Sequence, residues 1–238
     1  MRLCIVGSCG KKKLTTHPNS PTCKEIQSRD NLLIWQEQLS DYCRPAREMY
    51  TGNQAKQLVK GVDLLRKIDD VQVDLFIISA GFGFLREEEL VPPYECTFAG
   101  MSKKQLSERT QQLNINEDFL EGCVNQYDLL YLALGKNYFS ALGSNWLDHE
   151  TSTVIQFVEK NLKPNIVWFP SGNETVKALS ANGYKVHGAS GFKGDFLRIL
   201  ASYALSKTDP YGELAGWTDP YYLKQLFSDL VSSVQLTL

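Results

Sequence analysis

Five short apolar segments, separated by stretches of helical periodicity, constrain most strongly how this chain can fold. Apolar runs of this length are typical of strands that are buried on both faces of a parallel sheet. Because strands that alternate with helices form parallel sheets covered by helices, we predict an α/β fold with a mostly parallel central sheet of about five strands. The predicted strands are residues 3–6, 73–79, 129–134, 165–169 and, more weakly, 184–187.

Helices are predicted where apolar residues recur every three or four positions. Two polar segments, residues 15–28 and 207–218, contain turn-forming residues and are expected to be loops. Residues 87–126 contain helical patterns and turns but no strand pattern, which predicts a helical insertion within a single α/β domain spanning residues 1–238. The predicted helices outside this insertion are residues 54–68, 151–162, 174–181, 196–205 and 220–234.

Composition narrows the class of protein. The chain is 43% hydrophobic and 22% charged, which excludes a disordered chain. Its formal net charge of -2 argues against a protein that coats nucleic acid by charge alone, but leaves a local basic groove open. No apolar run approaches the roughly 18 residues that a membrane span needs, and the N-terminus has no signal-peptide pattern. We therefore expect a cytoplasmic protein with no membrane partner.

The six cysteines are scattered and form no Cys-x-x-Cys pair, so neither a zinc site nor another metal or cofactor is predicted. In the cytoplasm their thiols are expected to stay reduced. Most should be small, buried side chains. The six are Cys4, Cys9, Cys23, Cys43, Cys96 and Cys123.

Small or polar residues follow each predicted strand. In open α/β sheets the ligand crevice lies at the carboxyl ends of the strands, and glycines there let the backbone approach a ligand closely. We therefore predict that these loops build one binding site. Its substrate-binding candidates are Ser8, Lys11, Lys12, Ser79, Gly81, Phe82, Tyr94, Ser171, Asn173, Lys193 and Asp195.

An alternative interpretation treats the same residues as ordinary turn and capping residues of an α/β protein. Ser171 with Glu174 fits a capping box, and Asp195 fits a plain helix cap. Neither of the common glycine-rich phosphate motifs is present, which disfavours a P-loop nucleotidase or a standard dinucleotide enzyme.

Cys9 is the candidate nucleophile, because it follows a strand and precedes three lysines whose charge favours a thiolate. Lys13 is a second catalytic candidate, and Glu89 and Glu95 are candidate general acids or bases. Each has a simpler interpretation: a cysteine packed at a strand end, or solvated surface charges.

Together, several of these motifs resemble the YaaA-like (peroxide-stress) superfamily. The resemblance rests on residues 8–13 (SCGKKK), residues 50–52 (YTG), residues 77–85 (IISAGFGFL) and the Pro93-Tyr94 pair, and it covers most of the first 100 residues. It implies a role linked to nucleic acid. A related domain of archaeosine synthase handles 7-cyano-7-deazaguanine in tRNA with a cysteine-and-lysine motif that Cys9 and Lys13 resemble.

The cysteine in the first loop is unlike the YaaA proteins and favours the branch that processes nitriles. In this respect the chain resembles the DpdC branch, which belongs to a bacterial pathway that places 7-deazaguanines in DNA. The resemblance therefore implies hydration of the nitrile of 7-cyano-7-deazaguanine in DNA to the amide, with DNA and other proteins of a modification system as partners. Tyr94, Phe82 or Phe192 would then stack on the extruded base. Two alternatives stay open: a non-catalytic DNA-binding stress protein, and a hydrolase of a free nucleotide or base.

Overall fold

The computed structural model describes residues 1–159 and 163–232 and has a mixed α/β fold. The strands are β1 (Arg2–Ser8), β2 (Arg44–Pro45), β3 (Gln72–Ser79), β4 (Gly83–Arg86), β5 (Leu90–Val91), β6 (Leu129–Leu132), β7 (Thr153–Gln156) and β8 (Ile166–Trp168). The helices are α1 (Asn31–Gln38), α2 (Ala46–Met49), α3 (Asn53–Leu65), α4 (Lys103–Gln112), α5 (Ile115–Gly122), α6 (Lys136–Ala141), α7 (Asn173–Ala181), α8 (Phe192–Leu205), α9 (Pro210–Gly216) and α10 (Pro220–Ser232).

Six strands form the central sheet in the order β4-β3-β1-β6-β7-β8. All neighbours are parallel except β4, which pairs antiparallel with β3 at one edge. Gly83, with a φ of +82°, begins β4 immediately after the turn from β3. Numbered among themselves, the five parallel strands run 2-1-3-4-5, so the direction of winding reverses between β1 and β6. The α/β class and the mostly parallel sheet are thus confirmed.

The sequence missed β7. Residues 151–162 were predicted to be a helix, but residues 153–156 form a strand between β6 and β8. All four residues of β7 are buried, so both faces of this strand are covered. Its apolar residues also fit the spacing of a helix. The prediction was wrong because periodicity alone cannot separate a buried strand from a helix in so short a run. Residues 160–162 lie outside the described residues.

Three further local predictions were wrong. Residues 184–187 form no strand, because their side chains are half-buried or exposed. The expected loop at residues 207–218 contains α9, which starts with Pro210 and is capped by the Asp209 carboxylate accepting from the Gly212 N–H at 2.8 Å. The expected helical insertion at residues 87–126 contains α4 and α5 but also β5, which pairs with β2. In contrast, residues 15–28 form a loop as predicted, and α10 confirms the last helix as far as Ser232.

Helices cover both faces of the sheet, with α3, α7, α8 and α10 on one face and α4, α5 and α6 on the other. The crossing of α3 and α8 is especially close. A Cβ at Gly194 of α8 would lie 2.1 Å from the Gln54 carbonyl oxygen, and one at Gly61 of α3 would lie 2.8 Å from the Leu197 side chain. This contact draws the N-terminus of α8 over that of α3, and so over the end of β1.

A disulfide joins Cys23 in the first long loop to Cys96, 73 residues later. The expectation that all thiols are reduced was therefore wrong for this pair, which sequence spacing could not reveal. The other four cysteines are free and buried, as predicted. Among the described residues, no helix is long and apolar enough to cross a membrane.

Candidate active site

The candidate site lies where β1 and β6 end, at the point where the winding of the sheet reverses. Such a point leaves a crevice, because the loops after the two strands turn toward opposite faces. Here the loop after β1 carries Cys9, and the helix after β6, α6, carries Tyr138. The Cys9 Sγ and the Tyr138 hydroxyl lie 3.0 Å apart.

Cys9 is held in place by the neighbouring strand β3. Its backbone N–H donates to the Ile78 carbonyl at 2.8 Å, and the Ala80 N–H points to its sulfur at 3.4 Å. The side chain is buried, with 7% exposed. The sulfur therefore meets a phenol hydroxyl and a backbone N–H, both of which stabilise negative charge on it.

The hydroxyl groups of Ser79, Tyr94 and Tyr50 form a hydrogen-bonded series beside Cys9. The Ser79 Oγ accepts from the Gly81 and Phe82 N–H groups at 3.2 and 3.0 Å, so its own proton is free to donate to the Tyr94 hydroxyl at 2.8 Å. The Tyr94 hydroxyl in turn lies 2.9 Å from that of Tyr50.

Buried tyrosines near Cys9 are kept in their protonated form. Burial raises the pKa of Tyr94, and negative charge on Cys9 and a hydrogen bond to its sulfur raise it further. Burial and the charge of Cys9 likewise raise the pKa values of Tyr50 and Tyr138. These phenols therefore act as hydrogen-bond donors.

Lys13 completes a group of side chains that we call the Cys9 cluster. Its members are Cys9, Lys13, Tyr50, Ser79, Tyr94 and Tyr138. The Lys13 Nζ lies 4.1 Å above the centre of the Tyr94 ring. Burial lowers the pKa of the Lys13 ammonium, while negative charge on Cys9 and Glu95 acts in the opposite direction. The cluster thus places a half-buried amine within electrostatic reach of the thiol.

A cleft of about 310 Å³ reaches the cluster at Cys9. Its walls are residues 8–10, residues 52–55 at the start of α3, and Ser190 from the loop before α8. Its volume is at the lower end of the range for small-ligand sites. A larger open groove of about 710 Å³ between α4, α5 and α6 is lined by none of the predicted site residues. We therefore take the smaller cleft, which is lined by the candidate nucleophile Cys9, as the candidate active site.

The predicted carboxylates differ in position. Glu89 accepts from Arg29 at 3.3 Å and from the Arg86 N–H at 2.7 Å, so its carboxylate has a structural role in the turn between β4 and β5. Glu95 is exposed, follows Tyr94 in the chain and favours the charged form of Lys13. Among residues 1–159 and 163–232, no carboxylate forms a hydrogen bond with Cys9.

Among the predicted binding residues near Cys9, Ser8 lines the cleft, and Lys11 and Lys12 are exposed beside it in the chain. Gly81 packs so closely on Tyr94 that a Cβ there would lie 2.8 Å from the ring. Ser79 and Tyr94, predicted to touch the ligand, are instead fully buried behind Cys9.

Three aromatic rings were expected to stack on a base. Phe82, Tyr94 and Phe192 are each 0% exposed, so none presents a face to a ligand. The Phe82 ring packs edge-on against Tyr94, and Phe192 stacks on Phe196 in the core. The positions of these three residues near strand ends predicted contacts with a ligand. The rings instead pack in the protein interior beneath the candidate site.

The loop after the last strand is remote from Cys9. Ser171 and Asn173 follow β8, which is three strand spacings, or about 14 Å, from β1. The Ser171–Glu174 capping box is absent, since α7 begins after Gly172 with no side-chain cap. The five strand-end loops therefore do not share one crevice.

The last loop returns to the cleft through Ser190, but its predicted binding residues have other partners. Asp195 is fully buried and accepts from the His187 N–H at 2.8 Å, with the His187 Nδ1 also at 2.8 Å. It is thus neither a ligand contact nor a plain cap, and it fixes the loop. Burial lowers the pKa of the Lys193 amine, and the Lys193 carbonyl accepts from Tyr131 at 2.6 Å.

Sequence reasoning missed three residues of the site. Tyr138 comes directly after the Gly-Lys-Asn segment that follows β6, and Tyr50 is the first residue of the Tyr-Thr-Gly segment. Gln54 donates to the Ala133 carbonyl at 3.0 Å and bridges the ends of β1 and β6. The sequence contains only one indication that Tyr138 belongs to the site, namely its position shortly after a strand. No sequence pattern relates Tyr138 to Cys9.

The fold and the cleft define the chain as an α/β protein with a buried cysteine at the switch point of its sheet. No protein-family model matches the sequence, and no curated protein is significantly similar to it. In the described residues, no group of three histidine, cysteine or acidic side chains is arranged to hold a metal ion.

Proposed function

We propose that the chain is an enzyme that uses Cys9 as a nucleophile to hydrate a nitrile, and that its substrate is 7-cyano-7-deazaguanine in DNA. One observation carries the proposal: Cys9 lines the cleft, and its sulfur lies 3.0 Å from the Tyr138 hydroxyl and 3.4 Å from the Ala80 nitrogen. A polarisable nucleophile beside a proton donor suits addition to an electrophilic carbon. The choice of nitrile and base rests on the resemblance described above.

In the first step the sulfur would add to the nitrile carbon. A carbon–sulfur bond forms, one π bond of the nitrile breaks, and the nitrogen takes a proton to give a thioimidate. Tyr138 is placed to supply that proton, because its raised pKa keeps the phenol protonated and it lies next to the sulfur. Lys13, with its lowered pKa, is the second proton donor of the cluster.

In the second step water would add to the same carbon, and the carbon–sulfur bond would break as the sulfur leaves as a thiolate. One proton of the water goes to the nitrogen and the other restores the Tyr138 hydroxyl. The product is the amide, and the net change is the addition of one water molecule. Glu95 is the carboxylate that we propose to activate this water, since Glu89 is held by Arg29. A base in duplex DNA would have to be extruded to reach the cleft.

The test is conversion of an oligonucleotide that contains 7-cyano-7-deazaguanine, followed by mass spectrometry of its nucleosides. The wild-type chain should yield the amide, and Cys9→Ala should abolish conversion. Cys43→Ala is the matched control, because Cys43 is also a buried free thiol but donates to the Leu39 carbonyl away from the cleft. Equal conversion by wild type and Cys9→Ala would contradict the proposal, as would no conversion by wild type of either the oligonucleotide or the free base.

A second candidate function is DNA binding without catalysis. It is favoured by the exposure of Lys11 and Lys12, which extend the loop after Cys9 into solvent. The two functions are separable, since binding needs the lysines and catalysis also needs the thiol.

A further inference from the structure

Arg109, on α4, is a buried cation with no acidic partner among the described residues. It is 5% exposed, and its guanidinium donates to three backbone carbonyls: Ile26, Ala80 at 2.9 Å and Gly81 at 3.0 Å. A buried charge is costly unless an opposite charge or many hydrogen bonds offset it. Here the offset comes from carbonyl oxygens.

Two of those carbonyls belong to peptide groups whose other ends point toward the Cys9 cluster. The peptide that carries the Ala80 carbonyl also carries the Gly81 N–H, and the peptide of the Gly81 carbonyl carries the Phe82 N–H. Both N–H groups donate to the Ser79 Oγ, at 3.2 and 3.0 Å. Ser79 then donates to Tyr94 at 2.8 Å. Burial, the charge of Cys9 and a hydrogen bond with Cys9 all raise the pKa of Tyr94, which places this hydroxyl next to the sulfur.

Tyr94 has a single hydroxyl proton; with that proton directed to the Cys9 sulfur and Tyr50 donating to Tyr94, every donor in this series points the same way. A cation that binds a peptide oxygen polarises that peptide and makes its N–H a stronger donor, and successive hydrogen bonds strengthen one another. The positive charge of Arg109 is thereby conveyed through two peptides and two hydroxyl groups to the sulfur.

We propose that Arg109 is a positioning residue that stabilises negative charge on Cys9 through the peptides after Ser79, Ser79 itself and Tyr94. The inference rests on the proposed function only in taking Cys9 as the reactive group, and it does not depend on the nitrile substrate. It predicts that the nucleophilicity of Cys9 falls when the charge of Arg109 is removed.

The experiment measures the rate at which iodoacetamide alkylates Cys9 at one fixed pH, with the site mapped by mass spectrometry. In this reaction a sulfur–carbon bond forms, the carbon–iodine bond breaks and iodide leaves. Arg109→Met removes the charge, and Arg109→Lys retains it. Arg44→Met is the matched control, because Arg44 also donates to two carbonyls, those of Asp41 and Cys43, but far along the chain from Ser79.

Arg109→Met should lower the alkylation rate about tenfold, as expected for loss of a charge-assisted hydrogen-bond series, while Arg109→Lys should recover most of it. Arg44→Met should react like wild type. Ser79→Ala breaks the series while leaving Arg109 in place, and should lower the rate about fivefold. Because the two residues act in one series, the double variant Arg109→Met/Ser79→Ala should be no slower than Arg109→Met alone.

Thermal melting of each variant separates reactivity from folding. A folded Arg109→Met variant that is alkylated at the wild-type rate would overturn the inference, and so would strictly multiplicative effects in the double variant. If Arg109→Met does not fold, Ser79→Ala and Arg109→Lys are measured instead. Alkylation of Ser79→Ala at the wild-type rate would then overturn the inference. If alkylation depends on Arg109 but no nitrile is hydrated, the inference stands and the proposed function fails.

Discussion

At the scale of single residues, the surroundings of the four free cysteines set Cys9 apart. Cys4 and Cys123 face each other in the core with their sulfurs 3.3 Å apart, and burial together with Cys123 raises the pKa of Cys4. Cys43 donates to the Leu39 carbonyl. Cys9 alone of the four lines a cleft and meets hydroxyl and N–H donors.

The Tyr138 hydroxyl contributes directly to the reactivity of this thiol. Tyr138→Phe should lower the rate of Cys9 alkylation about fivefold, because one hydrogen bond worth about 1 kcal/mol to the sulfur is removed. The measurement is the same iodoacetamide assay with mapping by mass spectrometry. Tyr221→Phe is the control, since Tyr221 is 76% exposed and remote from the cluster. A Tyr138→Phe variant that reacts as fast as wild type would show that the 3.0 Å contact has no effect on the sulfur.

Sequence reasoning identified Cys9 and Lys13 at the site, because glycines and lysines after a strand have a local signature. It also named Ser79 and Tyr94 as ligand contacts, but both side chains are fully buried behind Cys9. Arg109 was out of reach, because it lies in a polar helix and its partners are carbonyls 28 and 29 residues away. Every residue has a backbone carbonyl, so residue types do not show which carbonyls bind a side chain.

At the scale of elements, the site depends on how α8 crosses α3. The start of α8 carries the loop whose Ser190 closes the cleft over the start of α3. The crossing is possible because Gly194 has no side chain, and a Cβ there would lie 2.1 Å from the Gln54 carbonyl oxygen. Gln54 in turn ties the ends of β1 and β6, so the packing of two helices fixes the width of the cleft.

Gly194→Ala should therefore destabilise the protein by about 1–3 kcal/mol, the usual cost of overpacking a close contact. Urea denaturation followed by circular dichroism measures this change in the free energy of unfolding. Gly122→Ala is a matched control in another helix, where a Cβ would meet only a Phe84 ring atom at 3.9 Å. That variant should be neutral, or more stable by up to about 1 kcal/mol from helix propensity. Equal stability of the two variants would contradict the close crossing.

Elements with a strong and unbroken pattern were predicted well, and ambiguous ones were not. The strands β1, β3 and β6 each present a continuous apolar run, and α3 has a regular apolar stripe. The apolar segment at residues 153–156 is so short that it fits both the helical and the strand period. Its pairing with β6 and β8 determines that it is a strand. Similarly, Asp209 and Pro210 are typical turn residues, but here they are the N-cap and the first residue of α9.

At the scale of the whole molecule, strand order restricts which loops can meet. The sequence indicated five loops at one edge of the sheet but not the order of the strands. Because β6 and β7 separate β1 from β8, the loop after β8 is excluded from the cleft. The disulfide is the other long-range feature, since Cys23 and Cys96 fasten the first long loop to the segment after Tyr94.

Loss of this disulfide should reduce stability substantially. The double variant Cys23→Ala/Cys96→Ala should be less stable by about 2–5 kcal/mol, the usual cost of removing a native disulfide. Thermal melting with and without dithiothreitol measures the effect: the reductant should lower the melting temperature of wild type and leave that of the double variant unchanged. If non-reducing mass spectrometry finds all six thiols free in the purified protein, the linkage is contradicted.

The proposed DNA binding would also be a property of the whole surface, and its salt dependence would report how many phosphates the protein neutralises. Lys11→Ala/Lys12→Ala should weaken binding and flatten the plot of log affinity against log salt by about 0.9 for each phosphate that a lysine no longer neutralises. Fluorescence anisotropy with a labelled duplex gives the slope. Lys177→Ala/Lys224→Ala is the control, because both lysines are exposed on α7 and α10. A wild-type protein with negligible affinity for DNA would instead favour a free nucleotide or base as substrate.

The central claim is that Cys9 is the nucleophile of this site, and covalent capture tests it most directly. The protein is mixed with an oligonucleotide containing 7-cyano-7-deazaguanine, quenched in acid at a series of times, digested and analysed by mass spectrometry. We predict an adduct of the modified base on the peptide that contains Cys9, which rises and decays as the amide accumulates and is absent from Cys9→Ala. Formation of the amide with no adduct on Cys9 at any time, or with an adduct on another residue, would contradict the account.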